Sequence, residues 1–158
     1  MIDYSLCSQL RSFYDPALPA NSILVNQVAA LFHADPHITW AGLYLLNPLT
    51  GDCYVDAFQG LPACMKIPAH QGVIGAAVDA KAPMVVSDVH SFPGHIACDS
   101  RTESELVIPL KVCGNLMTLM GVLDLDSDVQ GFFDQLDPDL IEELGEIFSQ
   151  TLDLNLPF

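Results

Sequence analysis

The chain has 158 residues, about half of them apolar, and 20 Asp and Glu against 5 Lys and Arg give it a net charge of −15. That length suits one domain with a sizeable core, and the acidity disfavours nucleic acid and anionic membrane surfaces as partners. No apolar run approaches the ~18 residues that cross a bilayer, and the N-terminus lacks the basic-then-apolar pattern of a signal peptide, so a soluble, cytoplasmic protein is expected.

Residues 1–36 read as an N-terminal helical segment. "DPALPANS" (15–22) is a loop in which Asn21 or Ser22 can cap the helix that follows. Ile23, Leu24, Val28, Leu31 and Phe32 then recur at helical spacing. Residues 37–135 read as a sheet with site-forming loops. "ITWAGLYLLN" (38–47) is β-branched and aromatic, and "CYVDAFQG" (53–60) returns from the turn "PLTGD" as its hairpin partner. "GVIGAAVDAKA" (72–82) is a short helix and "PMVVSD" (83–88) a brief strand. Residues 89–105 form a long polar loop; loops beyond ~12–15 residues are commonly functional, and Phe92 and Ile96 favour an ordered one. "ELVIPLKV" (105–112) and "LMTLMGVLDLDS" (116–127) make a further strand pair. Residues 136–153 are the clearest helix, capped by Asp137 with Pro138 at its first position and with Leu140, Ile141, Leu144, Ile147, Phe148 and Leu152 as its buried stripe. Hairpin connections with helices between them predict an antiparallel sheet with helices packed on it, an α+β single domain.

Five cysteines, an odd number with no CxxC pair, argue against a secreted disulfide scaffold. Cys98 stands in the long loop beside His95, Asp99 and Ser100, where it can be a nucleophile, a metal ligand or a small buried side chain. Cys64 lies in a second Pro-containing loop, "QGLPACMKIP". His90, His95, Cys98 and Cys64 offer nitrogen and sulfur ligands of the kind zinc takes, although H-x4-H-x2-C is a weak signature. Asp124 and Asp126 in "LDLDS" share one strand face because side chains alternate. Two such acids suit a solvated sheet end or a site that holds an ammonium group. Trp40 and Tyr44 have the same even spacing and can line a small apolar pocket.

"TWAGLYLL", "FQGLPAC", "IPAHQGVIGAA", "VSDVHSFPGHIACDS", "SELVIPL" and "GVLDLDS" occur in this order, and together they resemble the GAF-domain free methionine-(R)-sulfoxide reductases over nearly the whole chain. The resemblance implies a GAF fold with a six-stranded antiparallel sheet, often a homodimer, that needs no cofactor and no metal. It implies reduction of free L-methionine-(R)-sulfoxide, with thioredoxin restoring the enzyme. By motif, Cys98 matches the catalytic cysteine and Cys64 the resolving one. Glu105 and Asp126 match the acids that act on the substrate, with Asp124 beside them. Trp40 and Tyr44 match the aromatics that contact the methyl group. The loop amides around Ile96 and Ala97 can form an anion nest for the substrate carboxylate. One departure is clear: the family usually carries a third cysteine in "GVCGTA", and here "GVIGAA" puts Ile74 in its place. The hairpin "CGNLMTLMGVLDLD" is also two or three residues longer than usual. Two other readings come from the same residues: a GAF domain that senses a small molecule without turnover, and a zinc-binding interaction protein.

Overall fold

The computed structural model describes residues 1–154. Four α-helices and six β-strands follow in the order α1 (Tyr4–Ser12), α2 (Ala20–Phe32), β1 (Ile38–Leu46), β2 (Cys53–Gly60), β3 (Lys66–Ile67), α3 (Gly72–Ala80), β4 (Met84–Val86), β5 (Ser104–Val112), β6 (Asn115–Ser127) and α4 (Pro138–Leu152), with a short 3₁₀ turn at Val89–Ser91. The strands form one antiparallel sheet in the order β3-β2-β1-β6-β5-β4. The α+β class and the six strands expected from the sequence are both present.

The two faces of this sheet have different fates, and strand alternation decides which residues go where. Ala41 and Leu43 of β1, Leu106, Ile108 and Leu110 of β5, and Leu123 and Leu125 of β6 point to one face, where they pack with α1, α2 and α4. Leu144 and Phe148 of α4 and Leu24, Val28 and Leu31 of α2 are buried there, and burying each such side chain is worth about 1.5–3 kcal/mol. The alternate residues, Trp40 and Tyr44, Val107 and Val122, point to the opposite face and meet Val73, Ile74 and Ala77 of α3 in a smaller second core. That second core is where the chemistry-bearing side chains gather.

Local signals are mostly obeyed. Asp137 caps α4 by accepting from the Asp139 amide at 2.9 Å, and Pro138 opens the helix. All six residues of the expected α4 stripe are buried. The α2 start differs from expectation: the cap is Pro19, with no side-chain hydrogen bond, and Asn21 and Ser22 lie inside the first turn. Proline at this position already has extended backbone, and α2 is held by packing on β1 and β2 rather than by a polar cap. The long β5–β6 hairpin accommodates its extra residues through register shifts on both sides of Lys111, so that Leu110 pairs with Gly121 but Val112 with Asn115. Among the described residues, no helix is long and apolar enough to cross a membrane.

Candidate active site

The site is built on the centre of the sheet. Register sets Trp40 opposite Asp126 across β1–β6, and Asp126 opposite Glu105 across β6–β5. One step along, Gly42 faces Asp124, which faces Val107. Trp40, Glu105, Asp124 and Asp126 therefore share one patch on one face. A Cβ at 42 would force its neighbours to shift, since that atom would fall 2.6 Å from the Trp40 ring and 2.4 Å from Phe58 Cβ. The missing side chain is what lets the indole lie flat, stacked on Phe58 with centroids 5.4 Å apart.

The same aromatics anchor the next layer. The Trp40 indole N–H donates to the Leu61 carbonyl at 3.2 Å, and the Tyr44 hydroxyl donates to the Cys64 carbonyl at 2.9 Å. Both bonds hold the 61–65 loop over the sheet. Cys64 in that loop forms a disulfide with Cys98 of the 92–103 loop, with 5.7 Å between the Cα atoms. Thirty-four residues apart in sequence, the two cysteines close over a cavity lined by Trp40, Tyr44, Ile74, Ile96, Glu105, Asp124 and Asp126, among others. The cavity volume is about 50 Å³ in this oxidised form. Cys98 is exposed and Cys64 partly so. Ile96 packs on Gly72, whose φ of +65° and missing Cβ admit its side chain at the start of α3.

The carboxyls at the base of the cavity are in an unusual condition. Atoms from Glu105, Asp124 and Asp126 lie within 4.8 Å of one another. Glu105 and Asp124 are 6% and 5% exposed. Burial first, and the neighbouring Asp126 charge second, push the Glu105 carboxyl up to about 8. Burial and the charge of Glu105 raise Asp124 well above the usual carboxylate range, and burial and the charge of Asp124 do the same to Asp126. At neutral pH the Glu105 carboxyl is therefore mostly protonated, and its two neighbours are shifted in the same direction. Asp124 Oδ1 is buried without a hydrogen-bond partner. A cationic group placed among these oxygens would satisfy it, and the apolar Trp40 wall beside them suits an organic ammonium better than a bare ion.

Of the residues singled out in the sequence, Cys64, Cys98, Glu105, Asp126, Asp124, Trp40, Tyr44 and Ile96 all line this cavity or close it. Ala97 is exposed and does not line it. The amides of His95 and Cys98 are engaged with the Phe92 and Ile96 carbonyls, which leaves those of Ile96 and Ala97 without a partner among the described residues. The four candidate zinc ligands are not gathered: both cysteines are in the disulfide, and His90 Nε2 sits 3.1 Å from Glu103 on the surface. In the sequence, His95 reads only as a neighbour of Cys98 and a weak zinc-ligand candidate, and Thr102 is not singled out. His95 turns inward, with Nε2 3.5 Å from Glu105 Oε2, and Thr102 is a buried polar side chain in the lining. Strand pairing brings Glu105 under the loop that carries His95, a contact that no spacing in the chain announces.

The GAF domain family model matches residues 20–152. The chain is 37% identical over 151 residues to Protein YtsP of Bacillus subtilis, covering 95% of this chain and 91% of that one. It is 42% identical over 132 residues to the free methionine-R-sulfoxide reductase of Escherichia coli, covering 81% and 77% of the two chains. The structure of the free methionine-R-sulfoxide reductase from Neisseria meningitidis in complex with its substrate superposes with a TM-score of 0.84 at 34% identity, covering 95% and 87%. The chain belongs to the GAF-domain free methionine-R-sulfoxide reductase family. In this member of the family, Ile74, where the sequence reads "GVIGAA", lies buried in the cavity lining. Cys64 and Cys98 are joined to each other directly.

Proposed function

We propose that the protein reduces free L-methionine-(R)-sulfoxide to L-methionine, with Cys98 as nucleophile, Cys64 as resolving cysteine and thioredoxin as reductant. The observation that carries this reading is the Cys64–Cys98 disulfide lying over a cavity based on three closely spaced carboxyls. The reduced form starts with a Cys98 thiolate, which attacks the sulfoxide sulfur while a carboxyl proton passes to the sulfoxide oxygen. The S–O bond breaks, the hydroxyl moves to Cys98 as a sulfenic acid, and the thioether is methionine. The Cys64 thiol then attacks Cys98 Sγ, forming the disulfide and releasing water. A thioredoxin dithiol returns both cysteines to thiols by exchange and leaves as its own disulfide. The exposure of Cys98 supports attack from outside.

Glu105, with its pKa near 8, is suited to give the proton. A second carboxyl of the trio, ionised, receives the substrate ammonium, which supplies the partner that Asp124 Oδ1 lacks. Trp40 and Tyr44 face the methyl group, and the Ile96 and Ala97 amides receive the carboxylate. Matching both ends of a free amino acid excludes a methionine within a peptide. The work is intracellular, since thioredoxin is the reductant.

NADPH consumption with thioredoxin and thioredoxin reductase, comparing the R and S epimers, tests the function. Turnover of R alone supports it. Bound ligand without turnover of either epimer would leave the sensor reading in its place. Cys98→Ser should abolish even a single turnover, whereas Cys64→Ser should complete the first and stop there with a sulfenic acid.

A further inference from the structure

The proposed cycle has a proton to return, and this inference rests on that cycle. Oxygen removal takes a proton from Glu105 and leaves its carboxylate. Disulfide formation then releases water with no net proton change. Reduction by an external dithiol leaves Cys98 as a thiol, not the thiolate that attacks. To restart, the Cys98 thiol must lose a proton and Glu105 must gain one. Glu105 is only 6% exposed, so bulk water has poor access to it.

One ring lies where that transfer would pass. His95 and Cys98 line the same cavity, three residues apart in one loop, and His95 Nε2 is 3.5 Å from Glu105 Oε2. The His95 side chain is 14% exposed, so it reaches from the cavity mouth toward the buried acid. We propose that His95 is a proton-transfer residue that returns the Cys98 thiol proton to Glu105 once per turnover. It accepts the proton on one ring nitrogen and releases one from the other. The Cys98 S–H bond and a Glu105 carboxylate lone pair are exchanged for a thiolate and a Glu105 O–H, with no change in electron count. Transfer from the charged ring onto Glu105 runs downhill. Burial holds the imidazole below its usual pKa, and burial with the Asp126 charge lifts Glu105 to about 8. The other charged groups facing the pair are Asp124 and Asp126 from β6 and Asp99 from the loop. Asp99 is already held by the Arg101 guanidinium at 2.7 Å, so it does not compete for the imidazole.

Two measurements test this on the intact protein. The first reads the pairing without substrate: ring-nitrogen NMR of His95 across pH, in the wild type and in Glu105→Gln. The His95 titration should move when Glu105 is neutralised, and superimposable curves would overturn the pairing. The second compares wild type, His95→Gln and His95→Asn by single-turnover and steady-state kinetics. Pre-reduced variants, with Glu105 already protonated, should form disulfide at a rate near that of the wild type. Their steady-state kcat should fall about tenfold or more, with KM within about twofold and partial rescue by added imidazole. Equal loss in both phases would assign His95 to binding or structure, and no loss in either would remove the role. A wild-type protein that turns over no sulfoxide would instead refute the reductase reading itself, and the proton return with it.

Discussion

At the scale of single residues, the site destabilises the fold as pH rises. Glu105 in the folded protein titrates near 8, against 4.5 when free. Between those pH values the folded state holds a proton that the unfolded chain has released, so stability falls as pH rises across the window. Each unit of displacement corresponds to ~1.4 kcal/mol, so the loss amounts to several kcal/mol in total. Asp124 and Asp126 act in the same direction. Denaturant melts at pH 5 and pH 8 should show the wild type weaker at pH 8, with Glu105→Gln flattening the difference while removing activity. A Glu105→Gln protein as pH-sensitive as the wild type would contradict this. Gly42 gives a second test. Gly42→Ala puts a methyl 2.6 Å from the indole and 2.4 Å from Phe58 Cβ. It should cost about 1–3 kcal/mol, as overpacking does. It should also alter the fluorescence of Trp40, the single tryptophan in the chain.

At the scale of elements, the disulfide closes the chain between the 61–65 and 92–103 loops. Its loop spans 34 residues. Chain-entropy arithmetic for a loop of that size gives about 4 kcal/mol of stabilisation. The oxidised form should therefore melt measurably higher than the form reduced under non-denaturing conditions. Equal melting temperatures would mean that the reduced loops stay as ordered as the bridged ones. Reduction leaves Tyr44 and Trp40 still holding the 61–65 loop through its carbonyls. The 92–103 loop keeps the Ile96–Gly72 contact and the His95–Glu105 pair. Freedom gained on reduction should thus fall mainly on the segment around Cys98, which is where a substrate must enter.

For the whole molecule, charge is the dominant global property. The net charge of −15 is opposed by few ion pairs, and those involving Arg11, Lys66 and Arg101 are at or near the surface, where each is worth little. Self-repulsion therefore weakens the compact state, and screening should relieve it. Adding ~0.5 M sodium chloride at pH 8 should raise the melting temperature, with a smaller effect at pH 5, where carboxylates begin to protonate. Salt-independent melting at both values would show the surface charge to be already compensated. The same field favours partners that are neutral or zwitterionic at the cavity mouth, which fits a free amino acid.

Periodicity in the chain was enough to determine the α+β class, the β1–β2 and β5–β6 hairpins, α4 with its cap and stripe, the shared side of Trp40 and Tyr44, and that of Asp124 and Asp126; that the two pairs meet is decided by the β1–β6 register. The others follow from local rules: alternation along a strand, 3.6-residue spacing along a helix, and turn chemistry. Two short elements, α1 and β3, were not resolved that way. α1 buries only Leu6, Cys7 and Leu10, too few turns to set a period, and β3 is two residues defined by pairing with Cys53 and Tyr54. Cys64 and Cys98 could be paired from the family likeness, but their 5.7 Å approach depends on two loops packing against the same sheet face. The His95–Glu105 contact and the raised pKa values of the trio belong to the tertiary structure. The first needs the 92–103 loop folded back over β5, and the second needs desolvation of carboxyls brought together by β5–β6 register, neither of which a local pattern encodes.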